Sequence, residues 1–102
     1  MSNKIYTIEE IKTKLNKIMK NMPVYQVILF GSYAKNEANE KSDLDFVIDS
    51  NGTLMGFNLL ELIYEVEKSF KKNIDLFDKT EIIKDSKIDN EIKKTGVVVY
   101  EK

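Results

Sequence analysis

Cysteine, histidine and arginine are all missing from this chain of 102 residues, and each absence removes a chemistry. Without cysteine there is no disulfide, no thiol nucleophile and no thiolate zinc site. Without histidine there is no imidazole base and no imidazole-bound metal. Any metal must then sit among oxygens, which points to magnesium, manganese or calcium. All 16 basic residues are lysine, so phosphate can be met only by point charges and never by a bidentate guanidinium fork. No apolar run approaches the ~20 residues that cross a bilayer. The opening Met-Ser-Asn-Lys is not followed by the apolar core of a signal peptide. The expected compartment is the cytoplasm, with no membrane partner.

What is present fits a folded domain. The 42% hydrophobic and 10% aromatic content is too high for a disordered chain. The length suits a single domain spanning residues 1–102, with no room for a separate substrate domain. Sixteen basic against 17 acidic residues give a net charge of −1, which argues against direct nucleic-acid binding through phosphates.

Hydrophobic spacing sets out the elements. Ile8, Ile11, Leu15, Ile18, Met19 and Met22 recur at three- and four-residue steps and predict an amphipathic helix over 8–22. Thr7 and Glu10 form a capping-box pattern at its start, and Pro23, the only proline, ends it. Val24 to Phe30 reads as a buried strand ended by Gly31. Residues 32–42 read as a turn or short helix plus loop. Asp43 to Asp49 reads as a second strand with Leu44, Phe46 and Ile48 on one face, and Asn51-Gly52 as a turn. A second helix is expected over 57–71, with Leu60, Ile63, Tyr64, Glu67 and Phe70 along one side. A short strand follows over 73–77. Ser86 with Asp89 would cap a last helix ending near Gly96, and Val97 to Tyr100 would form an edge strand. The order α-β-(short α)-β-α-β-α-β implies an α/β fold in which one small sheet carries packed helices.

The chemistry concentrates in 31–45. Carboxylates at i and i+2 on a strand share a face, so Asp43 and Asp45 would lie close together. Like charges that close favour a bound proton unless a cation intervenes. Magnesium at a phosphoryl-transfer centre is the natural cation for such a pair. Ten residues earlier, Gly31-Ser32 ends the preceding strand. Glycine allows close backbone approach, serine adds a hydroxyl, and a helix start at 32–37 would favour phosphate. Lys35 and Lys41 could add positive charge. Asp75 interrupts an apolar strand and is the expected third carboxylate, with Asp78 as its rival. Tyr33 could stack on a base or simply pack. Glu37, Glu40 and the Lys68, Lys71 and Lys72 group read as solvated charges.

The stretch Leu29-Phe30-Gly31-Ser32-Tyr33-Ala34-Lys35, continued by Ser42-Asp43-Leu44-Asp45-Phe46-Val47-Ile48, resembles the signature of polymerase-β-type nucleotidyltransferases. It is most similar to the minimal nucleotidyltransferase (MNT) antitoxins of HEPN/MNT toxin–antitoxin pairs. The strand around Asp75 resembles that family's third-aspartate strand. The resemblance implies a nucleotidyltransferase fold with a mixed sheet. It implies two Mg2+ ions, with Mn2+ as the alternative, held by Asp43, Asp45 and Asp75. Gly31, Ser32 and Lys35 would meet the phosphates of ATP. The implied activity is transfer of AMP from this nucleoside triphosphate to a hydroxyl of a partner HEPN toxin, by its tyrosine, as an antitoxin. A homo-oligomer or an assembly with that toxin would follow. Family members often carry arginine near Tyr33 and Lys35 and glycine near Asn36. Their absence here leaves a second reading, a binding subunit that neutralises its partner by contact alone. A small-molecule nucleotidyltransferase ranks last, because such enzymes hold their acceptor with a second domain.

Overall fold

Residues 4–102 are described in the computed structural model. The elements are α1 (Ile8–Met19), β1 (Gln26–Phe30), β2 (Leu44–Asp49), α2 (Phe57–Phe70), β3 (Ile74–Asp78), α3 (Lys87–Thr95) and β4 (Val97–Glu101). A single 3-10 turn, Lys79–Glu81, follows β3. The strands form one mixed sheet in the order β3-β2-β1-β4. β1 runs antiparallel to both β2 and β4, whereas β2 and β3 are parallel and joined through α2. The expected α/β class and the edge position of β4 are both borne out.

Strand alternation divides the sheet into two unlike faces. Val27 and Leu29, then Leu44, Phe46 and Ile48, then Ile74 and Leu76 point into the core. α1 covers that face with Ile11, Leu15 and Met19, and α2 with Leu62, Val66 and Phe70. Tyr6 locks the two helices together. Its ring meets Phe70 edge-on at 5.0 Å, and its hydroxyl donates to the Phe70 carbonyl at 2.7 Å. The opposite face carries Ile28 and Phe30 from β1, Asp45, Val47 and Asp49 from β2, and Asp75 and Phe77 from β3. α3 packs on β1 here. A Cβ on Gly96, just past the helix end, would press against Ile28 Cγ2 and the Ile92 carbonyl.

α1 begins as expected, with the complete Thr7–Glu10 capping box. It ends at Met19, ahead of the expected Met22, because the chain turns before reaching Pro23. α2 departs further from the expected pattern. Leu62, Val66 and Phe70 are buried, whereas Leu60 and Tyr64, assigned to the buried side, are 59% and 61% exposed. The helix holds so many apolar residues that two stripes satisfy helical spacing, and only the packing partner separates them. Residues 31–36 form turns and no regular helix. Lys72, read as solvated, is buried, and its ammonium donates to the Glu40 carbonyl at 3.0 Å. The Asn51-Gly52 turn is present, with φ of 55° and 72°.

Candidate active site

The end of β1 and the starts of β2 and β3 meet at one edge of the open face. Register pairs Phe30 with Asp45 and Asp45 with Asp75, so the two aspartates sit side by side on that face. Their carboxylates are close enough to act on one another, and Asp75 favours the protonated form of Asp45. Burial, then the contact with Asp75, then the charges of Asp75, Asp43 and Glu91 push the Asp45 carboxyl up to about 7. Asp43 stands just ahead of β2, with an exposed side chain close enough to act on Asp45 by repulsion.

Gly31 lies directly against this pair. Its φ of 76° is left-handed, and a Cβ there would collide with Asp45 Oδ2. Both facts demand glycine. The chain then folds into a tight turn, in which Lys35 N–H donates to the Gly31 carbonyl at 3.2 Å and Glu37 N–H to the Ser32 carbonyl at 2.9 Å. The N–H groups of residues 32–34 precede Lys35, the first donor in this turn, as at a helix start. Asn36 takes φ 59°, a conformation that asparagine tolerates and glycine adopts freely.

Lys35 is held at the mouth of the turn by Glu91 of α3, with 3.5 Å between Nζ and Oε1. Glu91 therefore faces both Lys35 and Asp45, a role that nothing in its spacing or neighbours marked in the sequence. Tyr33 packs into the core and does not face the site. Burial raises its hydroxyl above the usual phenol range, with the Tyr6 backbone acting in the opposite direction. Asp78 does not compete with Asp75. It points to the core side, where it accepts from the Ser50 hydroxyl at 2.6 Å and the Thr80 hydroxyl at 2.6 Å. Burial would raise its carboxyl, but those hydrogen bonds hold it below the usual range.

The donor set suits a hard divalent cation: carboxylates alone, crowded enough that one is pushed toward its protonated form. Among the described residues no three acidic groups converge as a ready ligand cluster. Asp45 and Asp75 lie side by side, and Asp43 stands exposed beside them.

A mixed sheet with a glycine-serine turn at one strand end and paired aspartates on the next two strands defines a nucleotidyltransferase. The profile of the family described as polymerase beta, nucleotidyltransferase matches residues 9–102, and the chain belongs to that family. Two curated relatives from Methanocaldococcus jannaschii carry the name of candidate protein adenylyltransferase. One is 36% identical over 69 residues, covering 68% of this chain and 74% of its own length. The other is 40% identical over 78 residues, covering 74% and 78%. Among solved structures, a chain of a toxin–antitoxin complex with AMP-PNP superposes with a TM-score of 0.74 at 20% identity, over 89% of this chain and 73% of that one. A chain from a complex of the tri-AMPylated Shewanella oneidensis HEPN toxin with MNT antitoxin gives 0.69 at 18% identity, over 94% and 74%. At those identities the likeness is one of fold.

Proposed function

We propose that this chain is a magnesium-dependent protein adenylyltransferase that moves AMP from ATP to a tyrosine hydroxyl of a HEPN-type toxin and so acts as its antitoxin. The observation that carries the reading is the Asp45–Asp75 pair packed against Gly31. The relatives named for protein adenylylation and the neighbour with an AMPylated HEPN toxin support the choice of acceptor class.

Asp45, Asp75 and Asp43 would hold magnesium, which when bound supplies charge neutralisation at the α-phosphate and leaving group. The Gly31–Ser32 turn would present backbone N–H groups to the β- and γ-phosphates, with Lys35 able to exchange Glu91 for phosphate. The acceptor oxygen attacks the α-phosphorus, the bond to the β-phosphate oxygen breaks, and pyrophosphate departs. Asp75, exposed at the sheet edge, would take the hydroxyl proton.

The pairing of Lys35 with Glu91 favours one rival, neutralisation by contact alone, since it occupies the lysine nearest the turn. Co-expression with the toxin separates the two. The transfer reading expects Asp45→Asn to leave the toxin lethal, whereas full protection by that variant, with toxin free of AMP, would establish contact as the mechanism.

A further inference from the structure

The open face of the sheet holds a cavity of about 400 Å³, one step along the strands from the carboxylates. Its walls are apolar: Ile28 of β1, Val47 of β2, Ile82 after the 3-10 turn and Ile92 of α3. Lysines rim it. Lys79 is 3.9 Å from Asp49 and Lys93 is 2.9 Å from Asp89, but Lys84 makes no ion pair within 4.0 Å among the described residues. Lys84 acts on Asp89 from beyond that distance, so the hollow has three lysines against two aspartates at its edge, one positive charge in excess.

Its position relative to the carboxylates gives it a role. Val47 follows Asp45 by two residues on the same face, a separation of about 7 Å. Val47 is also in register with Ile28, so the cavity floor continues directly from the Phe30–Asp45 row. In-line displacement brings the incoming oxygen from the side opposite the leaving pyrophosphate. With pyrophosphate at the Gly31–Ser32 turn, beyond the end of β1, that oxygen arrives across the face that runs from Asp45 toward Asp49. The cavity lies on this approach, at about the reach of a tyrosine side chain.

We infer that this cavity is the acceptor seat, receiving a tyrosine-bearing segment of the partner protein whose neighbouring residues are acidic. The inference rests on the transfer reading and adds to it where, and by what charge, the acceptor is chosen. The apolar walls take the ring, and Lys84 meets a carboxylate beside it. The nucleoside of ATP then lies outside this cavity.

Amide chemical shifts of the labelled full chain test this with three probes: the peptides Ac-Glu-Tyr-Glu-NH2 and Ac-Lys-Tyr-Lys-NH2, and adenosine. The acidic peptide should shift Ile28, Val47 and Ile92 and saturate at a concentration about three- to fivefold lower than the basic one. Lys84→Glu should reverse that order, and Ile92→Trp, which fills the hollow, should abolish the shifts while the remaining spectrum stays folded. Absence of peptide shifts at these amides, or a stronger response to adenosine than to either peptide, overturns the inference. Magnesium and ATP on the same sample report separately at Gly31, Ser32 and Asp45. A response there without any peptide response defeats the acceptor seat alone, whereas no response to ATP defeats the transfer reading and this inference with it.

Discussion

At Asp45, burial and neighbouring carboxylates favour the protonated acid, whereas the proposed transfer needs the ionised one. A carboxyl raised from 3.8 to about 7 stabilises the fold fully below the lower value, and that contribution is lost as pH climbs through the upper one. The metal-free protein should therefore melt several degrees lower at pH 8 than at pH 5. The underlying loss is on the order of 1–2 kcal/mol after allowance for a half-exposed group. Thermal melts at the two pH values check this, and magnesium should restore the loss at pH 8. Asp45→Asn should flatten the pH dependence and raise the metal-free melting temperature at pH 8, yet cost at least about 100-fold in transfer rate. Gly31→Ala forces a Cβ onto Asp45 Oδ2 at a positive φ. It should destabilise by more than about 1 kcal/mol in urea melts and depress transfer together with stability. Gly31, Asp43, Asp45 and Asp75 were legible because glycine before a loop and aspartate within an apolar strand conflict with ordinary strand chemistry. Glu91 was not, since a glutamate on a short amphipathic helix conflicts with nothing; only the packing of α3 on β1 brings it to the site.

Among the elements, helix starts and strands were readable from caps and alternation, but which side of α2 faces the core was not. Phe57, Leu59, Leu60, Leu62, Ile63, Tyr64 and Val66 make almost the whole circumference apolar, so the stripe is chosen by the fit of Leu62, Val66 and Phe70 against Phe46 and α1. Leu62→Ala should cost about 2–5 kcal/mol in denaturant melts, and Leu60→Ala within about 0.5 kcal/mol. The segment after β3 was also hidden. Asp78 ends the strand, caps the 3-10 turn and accepts from Ser50, a tertiary contact across 28 residues that no local pattern announces. Asp78→Ala should leave that buried hydroxyl without an acceptor for its proton and cost about 1–3 kcal/mol. Transfer at a temperature where the variant stays folded should remain near wild type, in contrast to Asp75→Asn.

Over the whole molecule, the sheet separates two tasks. One face is sealed by α1 and α2 and supplies stability; the other, partly covered by α3, exposes Asp45 and Asp75 beside the Gly31 turn. That division follows from strand alternation together with the placement of β2 between β1 and β3, which brings residues 31, 45 and 75 to one end of the sheet. The intact mass of the cognate HEPN-type toxin, after incubation with this protein, ATP and magnesium, tests the central claim most directly. The account expects added mass in whole AMP units, lost when Asp45→Asn or Asp75→Asn replaces the wild type and lost when EDTA removes the metal. A toxin that gains no AMP from the wild-type protein, or gains it equally from both variants, would contradict it.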